Sequence, residues 1–588
     1  MKNIKLISFI LFFIFIFTQN INKLTPEQNK EIEHLFKEII LKAQNQINNI
    51  NSISSKDKTC NLCKNIVKTN RESIIEKYGF EGVLKIAKLF CSLALDQDVC
   101  EGAIQEYGPF TLNVLAQHVV DEEKICAAIN LCDDVQYEDV DAWAKELLKD
   151  KPSKKKEDIN LQGDKIKMIQ MTDVHYDLKY KEGSSVECTK PLCCREPAEP
   201  GSKIVAGKFG YAGHCDINEN LFKSYVDAAY NLKPDFIVWT GDNAPHDVWE
   251  GSQDNVYEST KKLKNMLNEK FNHSVPIYPI LGNHEKYPND AYSTSGEPEL
   301  LKNMADIYKE YLDDEAYESF KKFGYYSMKH KNTNLRIIGL NCLICDTFNF
   351  YLIANQKDAK EEFKWLEKTL REAEKNNEFV YILDHIPING NFYLTECALR
   401  MRALIDRFEY NIRGYFTGHT HVDDVVVVKT YFEPRRPITL NYVAPSLTTY
   451  PYVYPSFRQY IIDPKTMLII DYEQYRLFTE EANKSGNPVW KLSHTAKELF
   501  NVNHLEEVDK IFNYTVGEKY IQKRVADHSR YKKYLSKESY IKECQCTITE
   551  DSYGDWMNCA HPKLDISGAQ LFSFLNKLGG KWKKEEDL

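Results

Sequence analysis

Five short apolar runs between residues 166 and 421 share one habit: each is followed at once by aspartate, asparagine or histidine. IKMIQMTDVH leads to Asp173 and His175, DFIVWTGDN to Asp242, and VPIYPILGNHE to Asn283 and His284. FVYILDHIP leads to His385, and IRGYFTGHTH to His419 and His421. Runs this short and this apolar predict buried strands that deliver polar groups at their carboxyl ends. Between them, EEFKWLEKTLREAEK carries apolar positions at three- and four-residue steps with Lys–Glu pairing, which predicts a helix. Alternating strands and helices predict a layered α/β domain over residues 165–481.

The flanks read differently. The opening MKNIKLISFILFFIFIFTQN sets Lys2 and Lys5 before an apolar run, Ile7 to Phe17, that is too short to span a bilayer. It predicts a signal peptide over residues 1–20, with an uncleaved anchor as the alternative, and hence a secreted chain. Within 56–137, six cysteines (Cys60, Cys63, Cys91, Cys100, Cys126 and Cys132) punctuate stretches of helical apolar spacing such as GVLKIAKLFCSLAL. A zinc site is the weaker alternative for Cys60-x-x-Cys63, because no second close pair follows; counting alone leaves the bridges open. The charged KELLKDKPSKKKEDINLQGD predicts a solvated linker within 138–164, and residues 482–588, rich in Lys, Glu and Tyr, predict a helical cap.

Composition narrows the partners. Against 76 Lys and Arg stand 86 Asp and Glu, a net charge of -10 that repels a phosphate backbone, so no nucleic-acid partner is expected. Sixteen cysteines fit an oxidising compartment, where the sequons at Asn272, Asn483 and Asn513 could carry glycans.

The chemistry lies in the strand-end residues. Two divalent cations held close together need an anionic group between them and neutral imidazoles around them. Residues i and i+2 of a strand share a face, so Asp173 with His175, and His419 with His421, can converge. Gly241, Gly282 and Gly418 precede ligand-type positions, where a missing side chain permits close backbone approach.

The order Asp-x-His, Gly-Asp-Asn, Gly-Asn-His-Glu, His, Gly-His-x-His resembles the calcineurin-like metallophosphoesterases. TDVHYD, WTGDNAPHDVW, YPILGNHE, FTGHTHVD, PLCC at 191–194 and APSLTTY at 444–450 resemble the acid sphingomyelinase branch, as does a saposin-type cysteine spacing ahead of the catalytic domain. The resemblance implies an α/β/β/α metallophosphoesterase sandwich with an N-terminal all-α saposin-type domain and a C-terminal helical region. It implies two zinc ions, one on Asp173, His175 and His421, the other on Asn283, His385 and His419, with Asp242 between them; spacing alone would also admit manganese or iron. A water made acidic by the metals would attack phosphorus, while His246 and His284 protonate the leaving group and stabilise the transition state. Glu285 would support the site without being a ligand. The implied substrate is sphingomyelin, cleaved to ceramide and phosphocholine, with Tyr450 near the choline; a soluble nucleotide or other phosphoester is the alternative. The implied partner is a membrane lipid surface, the implied state a monomer, the implied location secreted or lysosomal. Implied bridges are Cys60–Cys132, Cys63–Cys126, Cys91–Cys100, Cys188–Cys193, Cys194–Cys215 and Cys345–Cys397. Cys342 has no evident partner, and Cys544, Cys546 and Cys559 stand where the family has four cysteines.

Overall fold

In the computed structural model, residues 96–116 and 138–560 are described apart from short gaps, together with Asn61, Lys64, Leu84, Lys88 and Cys91. The chain divides into two compact units, with Glu138–Ala560 forming the larger. Of the smaller unit, the helix Gln97–Ala116 and the bridge Cys91–Cys100 are described. The expected signal peptide and the bridges Cys60–Cys132 and Cys63–Cys126 lie outside the described residues. Among the described residues no helix is long and apolar enough to cross a membrane.

The larger unit is built on two mixed six-stranded sheets. The first sheet contains β1 (Ile166–Met171), β2 (Phe236–Trp239), β3 (Ile277–Pro279), β10 (Ser456–Ile462), β11 (Ile469–Arg476) and β12 (Lys491–Thr495), in the order β12-β11-β10-β1-β2-β3. The second contains β4 (Tyr326–Lys329), β5 (Leu335–Gly339), β6 (Phe379–Leu383), β7 (Ile412–Thr417), β8 (Asp424–Lys429) and β9 (Pro437–Val443), in the order β4-β5-β6-β7-β9-β8. β1, β2 and β3 run parallel, as do β5, β6, β7 and β9. Strands buried on both faces explain why these runs are continuously apolar rather than alternating; every residue of β2 and β7 is buried.

The sheets meet face to face. Tyr460 of β10 packs against Phe416 of β7 and Tyr442 of β9, with ring centroids 5.0 and 5.4 Å apart. The Gln170 amide crosses from β1 to the Thr417 carbonyl at 3.0 Å, close to the carboxyl ends of both strands. Helices cover the outer faces. Glu219–Asn231 buries Leu221, Phe222 and Tyr225 and sets Tyr225 5.1 Å from Phe457 of β10; each such side chain contributes about 1.5–3 kcal/mol through burial. Lys357–Lys375 and Thr395–Arg407 cover the second sheet at β6 and β8.

Two boundaries depart from expectation. Residues 138–151 pack on the larger unit, whereas most of residues 152–164 is exposed, as a solvated linker would be. Val140, Ala144 and Leu147 recur at four and three residues, making one face of the helix Glu138–Leu147 that is buried against Thr395–Arg407. Two lysines of the expected linker have partners remote in sequence: Lys151 binds Asp406 and Glu409 at 2.6 and 2.9 Å, and Lys156 binds Glu506 at 2.8 Å. Likewise 482–560 is not all helical, because β12 extends the first sheet by pairing with β11. Its KLSHT has no apolar alternation, and its buried inward residue is His494.

The structure joins Cys188 to Cys193, Cys194 to Cys215, Cys345 to Cys397 and Cys546 to Cys559, leaving Cys342 and Cys544 buried as thiols. Asn272 and Asn513 are exposed. Asn483 instead accepts from the Phe209 N–H and donates to the Gly210 carbonyl, so its amide is committed to the fold.

Candidate metal centre

All seven expected ligands gather where parallel strands of the two sheets end. The geometry differs from the shared strand face expected of the i, i+2 pairs. Asp173, His175, Asp242, His419 and His421 lie just beyond their strands with φ between 45° and 67°, a left-handed backbone uncommon for residues bearing a side chain. The loops carrying them brace one another: the Asp173 and His175 N–H groups donate to the Gly241 and Asp242 carbonyls, each at 3.0 Å. Glycine is obligatory at two contacts. A Cβ on Gly282 would lie 2.2 Å from Asp242 Oδ1, and one on Gly418 would lie 2.4 Å from Asp173 Oδ2.

Three histidines are aimed by the same device. Nδ1 of His175, His385 and His421 donates to the carbonyls of Ala244, Thr240 and Tyr450 at 2.8, 2.6 and 2.6 Å, which leaves each Nε2 facing inward. His419 presents Nδ1, 2.9 Å from Asn283 Oδ1. Asp242 Oδ2 stands 3.0 Å from His385 Nε2 and 3.6 Å from His175 Nε2, between the two ligand groups. Asp173 Oδ1 is 3.4 Å from His421 Nε2.

The donor set fits divalent metal ions. His421 Nε2 faces His175 Nε2 at 3.2 Å, and His419 Nδ1 faces His385 Nε2 at 3.3 Å. Ligands about 2.0–2.1 Å from one tetrahedral ion stand about 3.3 Å apart. Three trios lie within reach of a common ion each, Asp173–His175–His421, Asp242–His385–His419 and His175–His246–His284; the first two hold the expected ligands. Electrostatics agree. Burial, with His246 and His284 alongside, pulls His175 well down, and burial with His385 pulls His419 to about 3, so both are neutral and fit to ligate. Burial opposes charge on His385, yet Asp242 and Asp173 push it up to about 10.

Around this centre, Glu285 accepts N–H groups from Gly282, Asp242 and Asn243, which makes it a backbone clamp and not a ligand. The His246 ring sits 3.9 Å from the His175 ring and 4.2 Å from the Tyr450 ring. His284 lies 4.6 Å from His175, and burial pulls it down to about 4. Tyr452 is not a free aromatic face, because the Arg530 guanidinium covers it at 3.7 Å. Two groups escaped sequence reasoning. Asp216, beside Cys215, bonds His246; Asp423 and Asp424, next to His421, take Arg458 and Arg524. Neither partner arginine lies in a recognisable motif, and only the run of two aspartates after His421 hinted at a fastening point.

Residues 166–423 match the protein-family model described as calcineurin-like phosphoesterase. Sphingomyelin phosphodiesterase A of Dictyostelium discoideum is 31% identical over 483 residues, covering 76% of this chain and 80% of that protein. Sphingomyelin phosphodiesterase B of the same organism is 28% identical over 464 residues, covering 76% and 72%. The human protein named cyclic GMP-AMP phosphodiesterase SMPDL3A is 31% identical over 354 residues, covering 57% and 76%. With these strand-end ligands and these relatives, the chain belongs to the sphingomyelin phosphodiesterase family and is a phosphodiesterase enzyme with a calcineurin-like phosphoesterase domain.

Proposed function

We propose that the chain hydrolyses sphingomyelin to ceramide and phosphocholine. The observation that carries the reading is the pair of buried carboxylates, Asp173 and Asp242, faced by inward imidazole nitrogens and, among the described residues, by no lysine or arginine. Asp173, His175 and His421 would hold one divalent ion, Asn283, His385 and His419 the other, and Asp242 both. The imidazole-rich set favours zinc. Two such ions, when bound, would supply Lewis acidity toward a phosphoryl oxygen and lower the pKa of a water for in-line attack. His246 and His284 stand beside the same space to donate to phosphoryl and leaving oxygens. Tyr450, its ring tilted against that of His246 at 4.2 Å, would offer its other face to a quaternary ammonium. The N-terminal region, read as saposin-type, would present lipid from a membrane surface, and a signal peptide would send the chain to secretion or the lysosome.

The choice of leaving group rests on the two amoebal relatives, whose names specify sphingomyelin and which align over most of their length. A second reading, a soluble nucleotide phosphodiester, is favoured by the human relative named for cyclic GMP-AMP. The metal site alone does not choose between them. Turnover of sphingomyelin vesicles and of a soluble cyclic dinucleotide is to be compared on zinc-loaded full-length chain. Faster cleavage of the vesicles is expected; activity on the dinucleotide alone would replace the first reading with the second.

A further inference from the structure

Asp216 has no part in the ligand set, yet it is fully buried and spends both oxygens on one neighbour. Its Oδ2 accepts the backbone N–H of His246 at 2.7 Å, and its Oδ1 lies 2.9 Å from His246 Nδ1. The Thr448 hydroxyl donates to Oδ1 at 2.8 Å, and the Thr448 N–H donates to the Asp173 carbonyl at 2.9 Å, tying this carboxylate to the loop of a proposed ligand. The His246 ring is held between His175 and Tyr450. With Nδ1 committed to Asp216, Nε2 is the nitrogen left for the reaction space shared with His175 and His284. His284 has no such support, because among the described residues its Nδ1 has no hydrogen-bond partner.

We infer that Asp216 is a positioning residue that fixes the tautomer and direction of His246, making His246 rather than His284 the donor of the leaving-group proton. A buried carboxylate on the far nitrogen keeps Nδ1 protonated, so the near nitrogen is the one that gives and takes the mobile proton. As the bond from the attacking water oxygen to phosphorus forms and the ester P–O bond breaks, the Nε2 proton passes to the leaving oxygen. His246 is left neutral, its Nδ1–H still on Asp216, and the proton shed by the attacking water balances the one delivered. This inference rests on the metal-site reading above.

The test is Asp216→Asn in the full-length, zinc-loaded chain. The amide carbonyl can still accept the His246 N–H, but its NH2 then faces Nδ1 and reverses the tautomer. On sphingomyelin, whose alkoxide needs a proton, kcat is expected to fall roughly 10²–10³-fold. KM should change by less than about threefold and zinc content should be unchanged. On p-nitrophenyl phosphocholine, whose phenolate leaves unprotonated, the loss should stay below about tenfold. In a His246→Gln background, Asp216→Asn should cost nothing further. Equal losses on both substrates, loss of zinc, or a further loss in that background would overturn the inference. Thr448→Val, nearly isosteric, should show the same leaving-group pattern at several-fold size and carries the test if Asp216→Asn does not fold. Should wild type ignore sphingomyelin, the substrate reading fails alone. The same comparison then runs on a cyclic dinucleotide against a nucleoside p-nitrophenyl phosphate.

Discussion

Two pairs of buried aspartates lie close together in this chain and are treated in opposite ways. Asp423 is met by Arg458, by His494 Nε2 at 3.0 Å and by the Tyr472 hydroxyl at 3.1 Å, and Asp424 by a two-pronged Arg524 at 2.6 and 2.7 Å. Asp173 and Asp242, a few residues away in space, have imidazoles and backbone N–H groups but, among the described residues, no arginine or lysine. Burying a carboxylate without a countercharge is costly, and proteins ordinarily supply the partner themselves. The first pair fastens the loop that follows His421 to β10, β12 and the helix Glu518–Arg524. The second pair is met by imidazoles, which bind a metal ion in their neutral form, and not by a guanidinium or an ammonium. The difference teaches where the fold ends and the cofactor begins.

Substitutions should separate the two pairs. Asp242→Ala has the largest expected effect: if two ions share this carboxylate as proposed, its loss should lower steady-state turnover about a thousandfold or more, the several kcal/mol that metal Lewis acidity would supply. Asp423→Ala acts on stability instead. Arg458, fully buried, is stranded, and denaturant unfolding should show a loss of about 3–5 kcal/mol. Metal withdrawal comes next. A strong chelator should destabilise wild type by about 3–4 kcal/mol if free metal had stood several hundred- to a thousandfold above its Kd, and should leave Asp242→Ala nearly unmoved in a thermal melt.

The smallest effect is in acid. Burial works against charge on Asp555, but hydrogen bonds from Arg435 and Ser552 and the charge of Arg402 hold it at about 2. A carboxyl lowered on folding stabilises above its unfolded value of about 3.9 and loses that contribution as pH falls toward 2. Asp555→Asn should therefore lower stability near neutrality by roughly 1 kcal/mol, allowing for solvent screening, and the gap to wild type should narrow as pH falls below about 4 and close only at about pH 2. Urea unfolding from pH 6 to pH 3 checks the sign.

Most of the catalytic scaffold was legible in the sequence, because buried parallel strands are continuous apolar runs and their ends carry the ligand types. Asp173, His175, Asp242, Asn283, His385, His419 and His421 could be listed in order before any coordinates. Their backbone could not: positive φ at Asp173, His175, Asp242, His419 and His421 comes from loops braced across two sheets, and no strand periodicity encodes it. Asp216, Arg458 and Arg524 were hidden for a similar reason, since each is made functional by a contact 30 or more residues away. Only the start of the expected linker, 138–151, departs from the reading, because charge dominates its composition while Val140, Ala144 and Leu147 decide its packing. β12 was missed because its buried residue is a histidine held by Asp423, not an apolar side chain.

Metal analysis by mass spectrometry on the full-length chain, purified without chelator beside Asp242→Asn, tests the central claim most directly. The account predicts two divalent ions per chain in wild type and at most one in the variant. Wild type that binds none when divalent metal is supplied, or a variant that keeps both, would contradict it.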